Sequence, residues 1–409
     1  RVVTIGGRLG IFGRSAWASG PGTVWGWGSN FGGILGERPG DFEEPTKIRR
    51  LSHVSSVHHD GRTAYAIKDD GSLWSWGTSA SGQLGDGKRL HRESRGLWGM
   101  TPQASAADSR YRTLPDRIMG LRDVSAVFGN NFLGRWVKSR DGRAFGWGGF
   151  TERSLTPARL PALDGLLDLA RTMNDVWALM PGGELIGCSA NTPPRPVSGI
   201  HDVASISAAV HAFYAATRDG CVYAIDDFHG EWKDEPDLVH SRVLGKVRDI
   251  DGIATIIAAD YDPAGVLAIG MDGNLWSWGI DPKTANTGRE RRYPPRQVPI
   301  PNRVIDAYQS HGNAYALDEA GEVWSWDDFA FMSREEQRPR INRVKGLPRI
   351  GAIANGWQMH ALGHDGSVWS WSVYDAGKDS PTEPRRVTRL PRIVALRGSD
   401  KTTLAVAGE

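Results

Sequence analysis

The chain has 409 residues, and its 49 basic against 47 acidic residues leave a formal net charge of only +2. This balance supplies no overall charge with which to hold nucleic acid or an anionic membrane, so nucleic acid is not the expected partner. Because 40% of the residues are hydrophobic and no apolar run approaches the roughly 18 residues of a membrane span, disordered and membrane-inserted classes are excluded.

Glycine and tryptophan are in excess, and together they mark a unit that repeats along the whole chain. Six clear copies open at Gly22 (GTVWGWG), Gly71 (GSLWSWG), Gly142 (GRAFGWG), Gly273 (GNLWSWG), Gly321 (GEVWSWD) and Gly366 (GSVWSWS). Two degenerate copies open at Gly183 (GELIGCS) and Gly220 (GCVYAID). Successive glycines are about 49 residues apart, so the sequence predicts eight copies of one supersecondary unit.

Each copy predicts a β-hairpin. An apolar stretch leads into a turn, usually Asp-Gly, in which glycine accepts the positive φ of a tight primed turn. In Trp74-Ser75-Trp76 a strand places both indoles on one face. Eleven of the 17 tryptophans occupy this element: Trp25, Trp27, Trp74, Trp76, Trp147, Trp276, Trp278, Trp324, Trp326, Trp369 and Trp371. A protein with an exposed row of indoles would be poorly soluble, so we expect the neighbouring unit to cover each row.

Another short apolar segment precedes each hairpin, as in Asp123–Gly129 and Asp202–Ala208. With the hairpin and a variable segment rich in proline and arginine, each unit holds about four short strands. Repeated four-stranded units are typical of propeller blades. The sequence therefore predicts an all-β fold, a single β-propeller domain over residues 1–409 with about seven or eight four-stranded blades.

Two segments resemble a known repeat. WGSNFGGILGE (residues 27–37) and WGTSASGQLGDG (residues 76–87) are similar to the W-G-x-N-x-x-G-Q-L-G signature of the regulator of chromosome condensation repeat. The resemblance covers the chain as architecture and implies a propeller. The degenerate copies and the many Arg, Ala, Gly and Trp residues favour a divergent bacterial-type member, and a secreted or cell-envelope location is favoured over a cytoplasmic one.

The number of blades is left open by the sequence. The family usually closes seven blades, whereas eight hairpins are present here, followed by a further inner-strand pair over Arg392–Ala407. Such a terminal pair can close a ring on its first blade. Residues Val2–Ser19 offer the first hairpin its own inner strands, so one unit is surplus. Three arrangements are compatible with this pattern. The ring can have eight blades, one degenerate copy can fail to form a blade, or one terminal segment can lie outside the ring.

The sequence departs from the family at one repeated position. The family places a histidine eight residues before the hairpin glycine, and the corresponding residues here are Thr63, Asp175, Ala212, Asn313 and Gln358, while His211 lies one residue off. Functions that depend on the family's detailed surface are therefore not carried over.

Motifs of enzymatic chemistry are absent: the sequence has no P-loop, H-E-x-x-H motif, calcium loop or G-x-S-x-G elbow. His53, His58, His59 and Asp60 are the best metal candidates, but adjacent side chains on a strand point apart, which favours a structural role. Cys188 and Cys221 lie at different offsets from their glycines, which favours two buried thiols over a disulfide. We therefore expect no catalytic activity, no metal and no cofactor.

Charge is unevenly distributed. Residues 1–218 hold 26 basic and 19 acidic groups, whereas residues 219–262 hold 4 and 11. The acidic segment Ile225–His240 surrounds an indole with carboxylates, and its candidate partner-binding residues are Trp232, Asp226, Asp227, Glu231, Asp234, Glu235 and Asp237. Carboxylates around an indole suit a basic protein surface. The alternative is a solvated loop.

A basic insertion lies between the second and third repeats, at Lys88–Arg117, with seven basic and three acidic residues. Its candidate partner-binding residues are Arg92, Arg95, Trp98 and Tyr111. Extra loops on a rigid ring often carry function, although this one can also be an ordinary solvated loop. The segment Arg289–Gln297 is a shorter basic loop, and Trp357 is a further tryptophan in a variable segment.

These features predict a non-catalytic protein-binding propeller that presents variable loops to a partner whose identity the sequence does not give. The resemblance also implies a second function, guanine nucleotide exchange on a small GTPase, as in a secreted bacterial effector. No residue here matches an exchange loop that could be carried over. A third function, an enzyme or sugar binder in the central channel, predicts a cluster of inward polar groups.

Overall fold

The computed structural model of the chain describes residues 22–30, 32–36, 41–60, 62–79, 81–88, 111–129, 134–148, 154–172, 175–189, 192–209, 212–226, 245–258, 265–280, 292–310, 313–328, 341–355, 358–372, 383–399 and 402–408. These residues form 32 strands and one short 3-10 helix (Pro161–Leu163). The strands pair in eight four-stranded antiparallel sheets. Each sheet is one blade of a β-propeller, which confirms the predicted fold class.

Blades 1 to 4 are given from the innermost strand outwards. Blade 1 is β31 (Ile393–Ser399), β32 (Thr402–Ala407), β1 (Thr23–Gly28) and β2 (Phe42–Lys47). Blade 2 is β3 (Val54–His59), β4 (Thr63–Lys68), β5 (Leu73–Thr78) and β6 (Tyr111–Arg117). Blade 3 is β7 (Val124–Phe128), β8 (Arg135–Ser139), β9 (Ala144–Trp147) and β10 (Ala158–Arg159). Blade 4 is β11 (Asp168–Arg171), β12 (Asp175–Leu179), β13 (Leu185–Ser189) and β14 (Thr192–Pro196).

Blades 5 to 8 follow the same order. Blade 5 is β15 (Val203–Ala208), β16 (Ala212–Thr217), β17 (Val222–Asp226) and β18 (Gly245–Lys246). Blade 6 is β19 (Ile253–Ala258), β20 (Gly265–Gly270), β21 (Leu275–Ile280) and β22 (Arg292–Val298). Blade 7 is β23 (Val304–Ser310), β24 (Asn313–Asp318), β25 (Val323–Asp327) and β26 (Asn342–Arg343). Blade 8 is β27 (Ile350–Asn355), β28 (Gln358–Gly363), β29 (Val368–Ser372) and β30 (Arg385–Arg386).

The ring is closed in blade 1 by strands from both ends of the described chain. The inner pair β31–β32 pairs with β1 from Thr23 opposite Ala407 to Gly28 opposite Thr402. Both degenerate copies form complete blades, namely blades 4 and 5. The ring therefore has eight blades. The other predicted inner pair, Val2–Ser19, lies outside the described residues.

The connections fall on two opposite faces because the strands alternate in direction. One face, the turn face, holds the hairpin turns between second and third strands and the linkers between blades. The other face, the loop face, holds the connections between first and second strands and between third and fourth strands. Every turn-face connection between consecutive strands is eight residues or shorter.

The hairpin turns differ in type from the predicted primed turns. In blade 2 the Gly71 amide donates to the Lys68 carbonyl, and the Lys68 amide donates to the Ser72 carbonyl. Gly71 has a φ of 72°, but Asp70 is not left-handed. A primed type I turn needs two left-handed residues, so this is the three-residue hairpin with a glycine bulge. The predicted need for glycine holds; the predicted turn type was wrong.

Tryptophan rows bind each blade to the blade before it, as predicted. In blade 2, Trp76 is fully buried and packs in one cluster with Val24, Ile34 and Val406 of blade 1, while Trp74 is half-buried at its edge. The same arrangement recurs for Trp326 against blade 6 and Trp371 against blade 7. The indoles therefore form the core between blades, and they stabilise the ring by burying large apolar surfaces.

The two degenerate blades fill their interfaces differently. Blade 4 has Ile186 and Cys188 where other blades have indoles, and Trp136 from the second strand of blade 3 belongs to the cluster against which both pack. Blade 5 has Tyr223 in this position, and Trp177 of blade 4 packs near it and stacks on Phe213 with ring centroids 4.5 Å apart. The missing indole is thus supplied by the facing blade, which keeps the interface volume filled.

Candidate partner-binding face

The strand ends that flank the acidic segment lie at the loop face of blade 5. Strand β17 ends at Asp226, which pairs with Ala212, and the next described residue is Gly245 at the start of β18. The segment between them connects a third strand to a fourth strand, so it leaves and returns at the loop face. Trp232, Asp227, Glu231, Asp234, Glu235 and Asp237 lie outside the described residues, as does Trp357.

The basic insertion leaves from the same face, at blade 2. Residues 111–117 of the predicted insertion form the outer strand β6, in which Tyr111 pairs with Thr78. Arg92, Arg95 and Trp98 lie outside the described residues. The second basic loop, predicted at Arg289–Gln297, also contributes to an outer strand, because β22 begins at Arg292. Its prolines suit an edge, where an amide donor is not needed.

The two candidate segments are flanked by strand ends that lie on one face but in different blades. Their flanking strands belong to blades 2 and 5, with blades 3 and 4 between them. The structure therefore defines two candidate contact regions on one face.

The base of the basic insertion is held by a network around Arg112. Its guanidinium donates to the Ser75 carbonyl at 3.0 Å and the Ser75 hydroxyl at 2.6 Å, and it pairs with Asp86 at 3.2 Å. Desolvation lowers the pKa of Arg112, opposed by Asp86. The ends of the insertion are thus fixed to the third strand of blade 2.

The signature segments of the repeat form compact turns that receive hydrogen bonds from the next blade. The Trp76 indole donates to the Ile34 carbonyl at 2.7 Å. The Trp147 indole donates to the Gln83 carbonyl at 2.8 Å, and the Tyr65 hydroxyl donates to the same oxygen at 2.5 Å. The loop face is therefore rigid where blades 1, 2 and 3 meet.

The residues weighed as a metal site serve packing instead. His58 donates from Nε2 to the Gly129 carbonyl of blade 3, whereas His59 donates to the Arg397 carbonyl of blade 1. Asp60 forms a buried ion pair with Arg135. The two imidazoles point to opposite neighbours, as expected of adjacent strand residues, and no cluster of three metal-ligating side chains occurs among the described residues.

Burial keeps the inner histidines neutral. Desolvation lowers the pKa of His59 and of His360 to about 4. Desolvation, with the nearby charges of Arg397 and Arg135, holds the pKa of His58 well below its ordinary value. None of these groups has the intermediate pKa that suits a general base at neutral pH.

A buried carboxylate between blades 6 and 7 was not found from the sequence. Asp328 accepts hydrogen bonds from the Trp326 indole at 2.7 Å, the Ser277 hydroxyl at 2.8 Å and the Gln309 amide at 2.5 Å. Desolvation raises its pKa to about 7, against the effect of these donors. The signal in the sequence is the replacement of Trp-Gly by Trp-Asp-Asp after the repeated tryptophans.

Both cysteines are free and half-buried rather than fully buried. Burial raises the pKa of the Cys188 thiol to about 12. No helix among the described residues has the length and apolar character to cross a membrane.

Comparison with known proteins supports the fold. No protein-family model matches the chain, and no curated protein matches it in sequence. Prp20p from Saccharomyces cerevisiae aligns with a TM-score of 0.57 over 97% of this chain and 93% of its own, at 14% identity. The chain has the fold of this propeller. Yeast RCC1 (Prp20) in complex with Kap60 gives a TM-score of 0.58 over 96% and 90% of the two chains, also at 14% identity. Human WBSCR16 gives a TM-score of 0.55 over 95% of this chain and 99% of its own, at 17% identity.

These neighbours confirm, at the level of the fold, the resemblance carried by the repeats. This chain has eight blades, against the seven that the family usually closes. The bacterial-type origin remains a prediction.

Proposed function

We propose that this protein is a non-catalytic binding module that presents loop-face segments to a protein partner. One observation carries the proposal: the strand ends flanking both candidate segments lie at the loop face, at Thr78 and Tyr111 in blade 2 and at Asp226 and Gly245 in blade 5. Long variable segments on a rigid ring are a common way to build a binding surface.

The scaffold at the base of the basic insertion is suited to this role. The indole-to-carbonyl hydrogen bonds at Ile34 and Gln83 and the Arg112 network fix the loop bases. A fixed base reduces the conformational entropy that binding must overcome. Buried neutral histidines and the absence of a three-residue metal cluster among the described residues offer no support for a catalytic alternative.

The acidic segment favours a partner with a basic surface. Six carboxylates surround Trp232 in the sequence. Carboxylates steer a basic partner towards the ring, and an indole provides the apolar anchor that dominates many interfaces. Prp20p, which shares this fold, is described together with its binding to Gsp1p and histones, so a protein-binding role has a precedent in this architecture.

Affinity capture with the full chain tests the proposal. The chain is immobilised, proteins retained from the native organism are identified by mass spectrometry, and the retained partner is measured again with Trp232→Ala and with Trp98→Ala. We expect at least one variant to lose the partner about tenfold or more, with little change in melting temperature. A large loss of thermal stability in both would show that these are packing residues.

A matched charge control lies on the opposite face of the same blade region. Asp249 and Asp251 are exposed in the linker from blade 5 to blade 6. The charge variant of the acidic segment is Asp234→Asn with Asp237→Asn. Its control, Asp249→Asn with Asp251→Asn, changes the net charge by the same amount. If the linker variant loses the partner equally, net charge and not the loop face controls binding.

Nucleotide exchange on a small GTPase is the second candidate, favoured by the resemblance of the repeat. Release of a fluorescent guanine nucleotide from a panel of purified small GTPases tests it. Acceleration by the wild-type ring that is lost on changing a loop-face residue would make exchange the preferred function.

A further inference from the structure

The turn face has a strongly basic part that the net charge of the whole chain conceals. We call it the basic rim, and it comprises residues 343–349, 364–367, 385–392, 47–53 and 69–72. These segments are the linkers that join blades 7, 8, 1 and 2 and the hairpin turns of blades 8 and 2. The rim holds ten basic residues, Arg343, Lys345, Arg349, Arg385, Arg386, Arg389, Arg392, Lys47, Arg49 and Arg50, against three acidic ones, Asp365, Asp69 and Asp70.

The other side of the turn face has the opposite charge. The corresponding linkers and turns from blade 3 to blade 7 cover residues 140–143, 159–168, 181–184, 195–202, 218–221, 246–252, 271–274, 298–303 and 319–322. They hold eight basic and eleven acidic residues. The ring is therefore polarised across this face, and one edge of it attracts anions.

The basic side chains of the rim are available to a ligand. Arg49, Lys345, Arg349, Arg385 and Arg392 are exposed, and none forms an ion pair within the described part of the chain. Two rim arginines are paired instead: Arg343 lies 2.9 Å from Glu322, and Arg389 pairs with Glu44. Most of the positive charge is thus not neutralised by neighbouring carboxylates.

The rim's shape and composition indicate the kind of ligand. All of its connections between strands are short, so no described element projects from it to enter a nucleic-acid groove. The five segments contain no Trp, Tyr or Phe, the residues that anchor most protein interfaces together with arginine. Adsorption to an anionic surface requires neither a projecting element nor a pocket.

An apolar side chain lies at one end of the rim. Met119, in the linker that leaves blade 2, is 74% exposed. This linker is in contact with a rim turn, because the Val124 amide that follows it donates to the Gly71 carbonyl. Arg117 and Arg122 flank Met119 in the linker, and an exposed methionine near arginines suits the boundary between lipid headgroups and acyl chains.

We propose that the basic rim binds the surface of an anionic lipid bilayer. The acidic half of the turn face would be repelled, so the ring would rest on the edge formed by blades 7, 8, 1 and 2. This orientation leaves the loop face directed away from the headgroups. The inference is independent of the loop-face proposal, since different residues carry it.

Vesicle sedimentation with the full chain tests the inference. The probes are vesicles of phosphatidylcholine alone and vesicles with about 30% phosphatidylserine. We expect binding only to the anionic vesicles, and its loss at about 0.5 M salt, because screening shortens the range of the attraction. Each basic residue at such a surface contributes about fivefold to partitioning, so reversal of three charges is expected to reduce binding at least tenfold.

The test variant is Arg49→Glu, Arg385→Glu and Arg392→Glu together. The matched control, Arg195→Glu, Lys246→Glu and Arg248→Glu, changes the charge equally on exposed residues from the other side of the turn face. The control is expected to keep anionic-vesicle binding within about twofold. Equal loss in both variants, binding to neutral vesicles, or no binding to anionic vesicles while a DNA duplex is bound would overturn the inference. Circular dichroism and melting temperature verify that both variants fold.

Discussion

At the residue scale, the Asp60–Arg135 pair shows how a charge is accommodated between blades. Asp60 accepts hydrogen bonds from the amides of Arg62 at 3.0 Å and Thr63 at 2.8 Å, and Arg135, fully buried, pairs with it across the junction of blades 2 and 3. The Arg135 guanidinium also lies 5.2 Å from the centre of the Tyr65 ring. Removing one member of such a buried pair leaves the other charge unpaired, which strongly lowers the stability of the fold.

The first prediction concerns this pair. Asp60→Asn is expected to lower the free energy of unfolding by about 3–5 kcal/mol, because it leaves the Arg135 charge buried without its carboxylate. Urea denaturation measures the change. The double variant Asp60→Asn with Arg135→Met is expected to recover much of the loss. If the double variant is as unstable as the sum of the two single variants, the two groups are not coupled.

Asp328 gives the second prediction, which concerns pH. Its pKa in the folded protein, about 7, lies above the ordinary carboxyl value, so the folded state binds the extra proton. The associated stability is complete below the unfolded pKa of about 4 and is lost as the pH rises through about 7. Asn at this position cannot ionise and can donate to the unpartnered Gln309 Oε1 after the amide rotates.

Asp328→Asn is therefore expected to gain stability over the wild type as the pH rises from 4 to 8, by roughly 3–4 kcal/mol. Urea denaturation of both proteins across this range measures the difference. Asp168, whose pKa burial also raises to about 7, is present in both proteins and cancels in the difference. A difference that is constant with pH would show that Asp328 is ionised throughout.

At the element scale, two glycines of the turn face separate two requirements for glycine, a left-handed backbone and a close approach to a neighbouring segment: Gly71 lies in the hairpin turn of blade 2, and Gly120 lies in the linker from blade 2 to blade 3. Gly71 and Gly120 both have left-handed φ values, 72° and 81°. A Cβ on Gly71 would lie 2.6 Å from the Asp123 Cα in the following linker, whereas a Cβ on Gly120 would meet nothing within 4 Å. Only Gly71 is constrained by its neighbour as well as by its own backbone.

The third prediction is that Gly120→Ala destabilises the ring by about 1–2 kcal/mol and Gly71→Ala by clearly more. The smaller loss reflects backbone strain alone, and the excess reflects the clash with the linker to blade 3. Chemical denaturation of the two variants measures both. Equal losses would mean that the linker moves aside without cost.

The sequence predicts the repeated elements well because each depends on local patterns. Asp-Gly turns and alternating tryptophans predict the hairpins, and the need to cover Trp74 and Trp76 predicts contact between blades. The patterns do not identify Trp136 and Trp177 as the residues that fill degenerate interfaces, because that substitution involves a facing blade. Local sequence patterns likewise do not predict the Asp60–Arg135 pair, since 75 residues separate its members.

At the scale of the whole molecule, blade 1 shows which of two predicted inner-strand pairs closes the ring, a choice that the sequence leaves open. Residues 2–19 and 393–407 carry similar inner-strand patterns, and local patterns cannot choose between them. The structure pairs β1 with β32 from Thr23 opposite Ala407. Of the candidate site, the sequence identifies the charged segments, whereas the common face of the strand ends that flank them follows only from the topology.

The fourth prediction concerns this closure. A disulfide between Thr23→Cys and Ala407→Cys would join strands that lie directly opposite each other, at a separation compatible with a disulfide. Because the bridge spans almost the whole described chain, it is expected to stabilise the ring by about 2–4 kcal/mol. Denaturation of the oxidised protein measures the gain, and the same protein with its thiols reduced is the control. No gain on oxidation would indicate that these strands separate without unfolding the ring.

The shared blade also has a consequence for biosynthesis. Strands β1 and β2 are translated before all other described strands, but their inner partners, residues 393–407, are translated after them. Until then the Trp27 row and the open flanks of blades 2 and 8 remain accessible to chaperones and proteases. A nascent chain that stops before β31 therefore keeps exposed sheet edges, which chaperones and proteases can recognise even when the other seven blades have folded.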